Sequence, residues 1–311
     1  SSQIAGIVKI EAKEVSASEK FGLNAKFLGE ILTSIDAEEI SLNESEGLVE
    51  IKAGRSRWSL RALSTEPMPY KKVSEPRLAM TLSAERYKAL MTRVTPFLSS
   101  QESRPSLTGM TICAQGNTMM LYGATPHCVS KQEITLSTNV AKEVTAVISR
   151  DGVTLTTDND VLWRLGENVL EIITGDFAYQ VRLITAPPPD FDKVTAIPEG
   201  MRTLTLVKAA FSDAVERVGL CARVVESSSL QLTLNEDHVR LYAKSDMIGD
   251  AEEIVPLLTK SGISGEEFGM NSRYLESAVK ASRSVKLKIG YTAPLNPVHI
   301  TDDVDGDIFI S

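Results

Sequence analysis

Hydrophobic residues follow two different periods along this chain, and together these periods predict a mixed fold. Tyr87, Leu90, Met91 and Val94 are spaced at i, i+3, i+4 and i+7, which is the apolar face of an amphipathic helix. Between residues 230 and 243, apolar residues alternate with polar ones on both sides of an Asn-Glu-Asp turn, which is typical of a β-hairpin. The patterns predict an α+β fold with helices packed on antiparallel sheet.

The chain contains two kinds of amphipathic helix pattern, and each occurs twice. The spacing found at residues 83–94 returns at Phe211, Ala214, Val215 and Val218. A second kind of helix follows an asparagine that can act as an N-cap, Asn24 or Asn271. Its apolar side carries Phe27, Leu28, Ile31 and Leu32 in one copy and Tyr274, Leu275, Ala278 and Val279 in the other. We therefore expect two helices in each complete unit.

Longer stretches of the chain also repeat in order. GRSRWSLRALSTEPMPYKKV from Gly54 aligns without a gap with GDFAYQVRLITAPPPDFDKV from Gly175, an offset of 175 − 54 = 121. FGLNAKFLGEIL recurs as FGMNSRYLESAV, an offset of 268 − 21 = 247, and a third pair from Met80 and Leu204 has an offset of 204 − 80 = 124. These periods are long enough for each copy to have its own core, so the sequence predicts three tandem domains.

The domain boundaries are placed where the pattern breaks near residues 75 and 198. The predicted domains are 1–75, 76–197 and 198–311. The first copy is N-terminally incomplete, because the counterpart of Met80 would lie at 80 − 121 = −41.

Composition favours a folded cytoplasmic protein. The chain is 42% hydrophobic and 24% charged, has a formal net charge of −8, and contains no apolar run long enough to span a bilayer. Cys113, Cys128 and Cys221 lack the spacing of a metal or redox site, so we expect reduced thiols in a reducing compartment.

The sequence offers little support for catalysis. His127, His238 and His299 are scattered, and we find neither a nucleophile with a spaced base nor a phosphate-binding loop. We therefore predict no enzyme activity, no cofactor and no metal. The acidic run at 302–307 fits either a calcium loop or a hairpin turn, and the missing later glutamate favours the turn.

Five segments together resemble one known family. They are GRSRWSL at 54–60, LTGM at 107–110, PDFDKVTAIP at 189–198, FGMNSRYLESAVKA at 268–281 and VKLKIGYTAPLNPVHI at 285–300. With them the chain resembles the bacterial DNA sliding clamp, the beta subunit of DNA polymerase III. The resemblance implies a non-catalytic processivity factor. It also implies a head-to-tail homodimer of six domains in a closed ring, with helices lining the hole and sheets forming the outer wall.

The resemblance implies sequence-independent contact with double-stranded DNA. An acidic chain can encircle DNA if basic residues on the inner helices meet the phosphates. The candidates on polar helix faces are Lys26, Arg86, Lys88, Arg93, Lys208, Arg273 and Lys280. Gln101 and Arg104 match a loop at the inner rim, although Pro105 and Ser106 replace the aromatic residues of the family pattern. The alternative is that these side chains only solvate the helices.

The resemblance also implies a pocket that binds apolar peptides of the replicative polymerase, the clamp loader and repair proteins. The matching residues are Leu107, Ala124, Pro126, His127, Cys128, Val129, Pro189, Lys193 and Val194. The family usually has glycine where this chain has Pro126 and arginine where it has Cys128, so partner preference is expected to differ. The alternative is that Leu107, Val129 and Val194 are ordinary sheet core.

The third implied surface joins the subunits. Trp58 and Leu60 lie on the matching edge strand of the first domain, and period-two geometry points both to one face. Glu216 and Arg217 occupy the matching helix of the last domain, where the family often has apolar residues. The competing interpretation is that Trp58 lies in a domain core.

The competing function for the whole protein is a clamp-like scaffold that binds partner peptides without encircling DNA.

Overall fold

The computed structural model describes residues 4–8, 12–15, 21–63, 70–197, 199–224, 228–259, 263, 265–293, 296–301 and 307–310. The acidic run at 302–307 lies almost entirely outside the described residues. The chain divides into two compact units, one of residues 7–71 and one of residues 72–311 together with 1–6.

The smaller unit contains one helix and a three-stranded antiparallel sheet. After β1 (Ile4–Val8), which spans the division, come α1 (Ala25–Ser34), β2 (Ile40–Ser45), β3 (Leu48–Ala53) and β4 (Ser56–Arg61). The sheet order is β2-β3-β4, so β4 is an edge. Gly47 and Gly54, with φ of 77° and 57°, form the two tight turns, where a left-handed backbone favours glycine.

Helix α1 begins where the sequence predicts. The side-chain oxygen of Asn24 accepts a hydrogen bond from the backbone N–H of Phe27 at 3.2 Å. Its predicted apolar side is only partly covered: Ile31 is buried, whereas Phe27 and Leu32 are 57% and 44% exposed. One helix and three strands, all that the described part of this unit contains, leave too little apolar surface to cover the whole stripe.

The larger unit has two successive sets of elements. The first set comprises β5 (Leu78–Leu82), α2 (Ala84–Val94), β6 (Gly109–Thr125), β7 (Cys128–Ser149), α3 (Arg150–Val153), β8 (Val161–Leu165), β9 (Val169–Thr174), β10 (Phe177–Ile184) and α4 (Phe191–Val194). The second set comprises β11 (Arg202–Val207), α5 (Lys208–Ala222), β12 (Ser229–Leu234), β13 (His238–Ser245), β14 (Gly249–Pro256), β15 (Glu266–Asn271), α6 (Ser272–Ala281), β16 (Lys286–Tyr291), β17 (Val298–Thr301) and β18 (Asp307–Ile310).

One long antiparallel sheet runs through both sets. Its strand order is β11-β16-β17-β18-β7-β10-β9-β8-β5, with β6 also paired to β7 and β1 to β10. The sets join where β18 pairs with β7, in a register that sets Ile310 opposite Cys128 and Asp307 opposite Lys131. A separate four-stranded sheet has the order β14-β13-β12-β15, so β14 is an edge.

Each set packs around its own aromatic pair. In the first core, the rings of Tyr87 and Trp163 meet edge to face with centroids 6.2 Å apart. In the second core, Phe268 and Tyr291 meet edge to face at 4.7 Å. Such contacts add about 0.5–1.5 kcal/mol to the free energy of area burial. The predicted helix faces of α2 and α5 point into these cores.

The prediction of two helices in each complete unit holds for the second set and is wrong for the first. There α3 has only four residues. Gly152 lies so close to β10 that an added Cβ would be 2.8 Å from the side chain of Val181, which fixes a tight turn at this point. The residues that follow α3 are rich in threonine and lack an apolar helical period, so nothing extends the helix.

Candidate functional site

A pocket of about 210 Å³ opens beside the turn between β6 and β7. The turn supplies one wall, the 3₁₀ turn Pro105–Leu107 a second, and α4 with the preceding Pro189 a third. Its lining residues are Arg104, Leu107, Ala124, Thr125, Pro126, His127, Cys128, Val129, Pro189, Phe191, Val194 and Pro297.

The β6–β7 turn is short and fixed. Thr125 and Cys128 pair across it, which leaves Pro126 and His127 as a two-residue loop. The hydroxyl of Thr125 accepts a hydrogen bond from the backbone N–H of His127 at 3.2 Å. The imidazole of His127 lies 6.2 Å from the ring of Tyr274 on α6, so the pocket mouth is bordered by both sets of elements.

Helix α4 is held by its own side chains. Asp190 accepts a hydrogen bond from the backbone N–H of Lys193 at 3.3 Å, and the hydroxyl of Thr195 donates to the carbonyl of Phe191 at 2.8 Å. This arrangement directs Phe191 onto the sheet, where its ring stacks on Tyr122. Leu107, Ala124, Val129 and Phe191 form the apolar floor of the pocket, and Tyr122 completes their cluster behind Phe191.

Burial keeps the Tyr122 phenol and the Cys128 thiol protonated at neutral pH. It raises the pKa of the Tyr122 phenol to about 12, and nearby Cys113 and Asp192 add to the effect. Burial also raises the pKa of the Cys128 thiol far above its ordinary value, with one backbone hydrogen bond from Val129 opposing the shift. Neither group is a thiolate or phenolate nucleophile at neutral pH.

Eight of the nine residues predicted for the pocket line it together. The exception is Lys193, whose ammonium lies 3.1 Å from the carboxylate of Asp190 and whose side chain is 84% exposed. The amphipathic turn of α4 directs Val194 to the pocket and Lys193 to solvent. Sequence reasoning missed Thr125, Phe191 and Pro297. Phe191 could have been found, because it lies between two predicted pocket residues in the repeated segment.

Most of the predicted basic residues on helices already have partners within the chain. Lys88 pairs with Asp158 at 2.6 Å, Lys280 with Glu276 at 2.7 Å, and Lys208 donates to the carbonyl of Ser282 at 2.6 Å. Arg86 is half buried on α2. Lys26 and Arg273 are exposed, and neither forms an ion pair with another described residue.

One predicted DNA contact, Arg93, is wrong, and two others lie in the loop beside the pocket. Arg93 is only 2% exposed, because α2 packs against β7 there and the Ser130 hydroxyl donates to the Arg93 carbonyl at 2.7 Å. Arg93 therefore does not lie on a solvent-facing helix surface. Arg104 lines the pocket, while Gln101 is exposed in the adjoining loop, where its carbonyl accepts from the Arg104 N–H at 3.2 Å.

Comparison with known proteins relates this architecture to one family. Residues 194–309 match the family model described as DNA polymerase III beta subunit, C-terminal domain. The beta sliding clamps of Staphylococcus epidermidis and Staphylococcus aureus are each 22% identical, over 92% and 88% of this chain and 77% and 74% of their own length. The sliding clamp from Pseudomonas aeruginosa superposes with a TM-score of 0.87 at 18% identity, covering 99% of this chain and 86% of that one.

The chain is similar in sequence and fold to the bacterial DNA sliding clamps. The beta chain of DNA polymerase III from Streptococcus pneumoniae gives the same TM-score of 0.87 at 20% identity, with the same coverage. The clamp fold and the family resemblance that the sequence predicted are thereby confirmed. The division into three domains at residues 75 and 198 remains a prediction.

The residues predicted to join the subunits lie on edge strand β4 and on helix α5. On edge strand β4, Trp58 and Leu60 are half buried while their neighbours Arg57 and Ser59 are exposed, so both point to one face as predicted. On α5, Glu216 and Arg217 are exposed, and Arg217 donates two hydrogen bonds to Glu253 of edge strand β14 at 3.0 and 2.5 Å.

Metal ligation and membrane crossing find no support in the part of the chain that the structure describes. No three or more histidine, cysteine, aspartate or glutamate residues among those described are grouped so that they could hold an ion. No described helix has both the length and the apolar character required to cross a bilayer.

Proposed function

We propose that this protein is a DNA polymerase processivity factor, a ring-shaped sliding clamp that encircles duplex DNA and tethers partner proteins through the pocket. The observation that carries the proposal is the pocket itself. On a clamp fold, eight residues predicted from the family resemblance gather around one apolar floor. Apolar anchors in such a groove supply affinity, and a few polar groups orient the peptide.

The partners under this proposal are the replicative polymerase, the clamp loader and repair proteins that carry a short apolar binding segment. The clamp acts without catalysis and needs no cofactor, since tethering alone raises the length of DNA copied per binding event. Its site of action is the cytoplasm, on the nucleoid. Pro126 and buried Cys128 offer few polar groups at the mouth of the pocket. This favours partners whose anchor residues are mainly apolar.

Ring closure by two copies is supported by the two sheet edges. Strand β4 carries Arg57 and Arg61 and no carboxylate, whereas β14 carries Asp250, Glu252 and Glu253 and no basic residue. Arg57, Glu252 and Glu253 are in ion pairs within the chain, so Arg61 and Asp250 carry the remaining complementary charge. Both edges also have unpaired backbone groups in the described chain. We therefore infer a head-to-tail homodimer, in which each copy contributes one edge of each kind.

DNA contact in this proposal is weak and independent of sequence. Among the predicted candidates, Lys26 and Arg273 are exposed and form no ion pair with another described residue, and Gln101 contributes from its loop. Retention on DNA then depends on topology, so loose phosphate contacts are compatible with sliding.

One observation favours the second candidate, a scaffold that binds peptides without encircling DNA. Lys88, Lys208 and Lys280 are engaged inside the chain, which lowers the positive potential available for DNA. Loading on nicked circular DNA by a clamp loader, followed by linearisation, separates the two functions. A ring is retained on the circle and slides off the linear form. Failure to load, or retention on linear DNA, would contradict the clamp proposal. The scaffold function would then remain.

A further inference from the structure

A second groove, of about 410 Å³, lies on the other side of the wall that bounds the pocket. Pro189 and Phe191 line both cavities, and Tyr122, on which Phe191 stacks, lines only the groove. A peptide that crosses the pocket in an extended conformation would therefore pass directly to the groove. We refer to this second cavity as the rear groove. The inference below rests on the proposed peptide-binding function of the pocket.

The rear groove has an apolar floor on the outer face of strand β6. Cys113, Met120 and Tyr122 point to this face, whereas Ile112 and Leu121 point into the core. The pairing of β6 with β7 shifts register on both sides of Gly116, which has a φ of 59°. A bulge of this kind bends the strand locally and separates the flanking side chains, which helps to open the groove.

The rim of the rear groove is acidic. Glu143, Asp190 and Asp192 line it, and its lining includes no lysine or arginine among the described residues. Asp190 is neutralised by Lys193 at 3.1 Å, but neither Glu143 nor Asp192 forms an ion pair with a described residue. Such a rim repels phosphate and attracts a cation. The groove is thus unsuited to nucleic acid and suited to a basic side chain.

We propose that the rear groove receives a lysine or arginine side chain of the same partner peptide whose apolar residues fill the pocket. The aliphatic stem packs on Met120 and Tyr122, and the charged head meets the carboxylates of Glu143 and Asp192. An arginine suits this geometry better than a lysine, because its planar guanidinium can contact two acceptors at once. The basic residue adds specificity, while the apolar anchors supply most of the affinity.

The experiment compares two fluorescein-labelled peptides, RRGLLFGRR and QQGLLFGQQ, by fluorescence anisotropy on the full chain. Arginines at both ends serve either direction of binding. Two rim contacts at partly exposed positions predict that the arginine peptide binds about three- to tenfold more tightly than the glutamine peptide. The double variant Glu143→Gln/Asp192→Asn should lose this preference while binding QQGLLFGQQ unchanged.

A matched control separates the rim from general attraction to an acidic protein. Asp176→Asn/Glu267→Gln removes the same charge at exposed positions outside the rear groove, and should retain the preference. Equal binding of the two peptides to the wild type would overturn the inference and leave the pocket intact. A preference that persists in Glu143→Gln/Asp192→Asn would overturn it as well. Binding of neither peptide would contradict the pocket itself, and with it the proposed function.

Discussion

Phe191 lies face to face on Tyr122, with ring centroids 4.2 Å apart and ring planes 2° from parallel. Because Phe191 belongs to α4 and Tyr122 to β6, this pair fixes the helix that closes the pocket to the sheet that forms its floor. The position of the α4 wall therefore depends on this aromatic contact together with the hydrogen bonds of Asp190 and Thr195.

Replacing Phe191 with alanine should reduce both stability and partner binding. Loss of the buried ring should lower the free energy of unfolding by about 3 kcal/mol. The affinity for QQGLLFGQQ should fall at least about tenfold, because the wall loses its support. Phe191→Leu keeps apolar volume and should cost less than about 1.5 kcal/mol. Denaturant unfolding and fluorescence anisotropy measure the two effects.

Phe177→Ala provides the control for this prediction. Phe177 packs against Tyr179 with centroids 5.4 Å apart and does not line the pocket. Its loss should lower stability without changing peptide affinity. Equal loss of affinity in both variants would show that the effect follows from general destabilisation.

Alkaline pH should destabilise the fold through Tyr122. Its pKa is raised to about 12 in the folded chain by burial, against about 10 when unfolded. The folded state therefore holds its proton while the unfolded state releases it, so this contribution is intact below pH 10 and is lost as pH rises towards 12. Between pH 8 and pH 11 the loss amounts to about 1.4 kcal/mol.

Tyr122→Phe isolates that contribution, because it retains the stack and removes the phenol. From pH 8 to pH 11, the variant should lose about 1.4 kcal/mol less free energy of unfolding than the wild type, by urea titration at each pH. Tyr87, whose pKa burial also raises to about 12, remains in both proteins and cancels in the comparison. Identical pH dependence of the two proteins would contradict the assignment.

The exposed helix cations should dominate DNA contact. Lys26→Gln/Arg273→Gln should flatten the dependence of log K on log salt by about 0.9 for each phosphate contact removed, measured on a short duplex. Lys88→Gln/Lys280→Gln removes the same charge from residues held in intrachain ion pairs and should have a smaller effect. A larger effect of the second pair would show that these ion pairs exchange for phosphate.

Trp58→Ala/Leu60→Ala should convert dimers to monomers in sedimentation equilibrium. Both side chains lie on one face of the edge strand β4, so removing them leaves no apolar anchor on that strand. If the acidic and basic edges pair as proposed, the wild-type dimer should also weaken as ionic strength rises. A variant that remains dimeric at low protein concentration would reject this edge as the contact.

The sequence predicted most of the fold because its periods are long and repeated. Asn24 caps α1 and Asn271 caps α6 as expected, and the stripes of α2 and α5 enter the cores. The repeat implied a full second helix in the first set, but α3 has only four residues because the threonine-rich segment after it lacks an apolar helical period.

At the candidate site, the sequence indicated which residues lie near one another, but not which intrachain contacts the charged side chains form. The apolar residues predicted for the pocket line one cavity, because strand alternation and a turn decide which face they occupy. Their role in binding stays a prediction. Arg93 and Lys193 were misplaced for a different reason. A helical period shows which side of a helix is apolar, but not that β7 covers Arg93 or that Asp190 holds Lys193.

The pairing of β18 with β7 has a consequence for biosynthesis. Residues 307–310 align with residues 128–131, which include Cys128 and Val129 of the pocket wall. During translation the wall therefore emerges long before the strand that supports it, and folding proceeds from the N-terminus. A chain that stops before residue 307 would lack this strand, so residues 128–131 of the pocket wall would lose their pairing on that side.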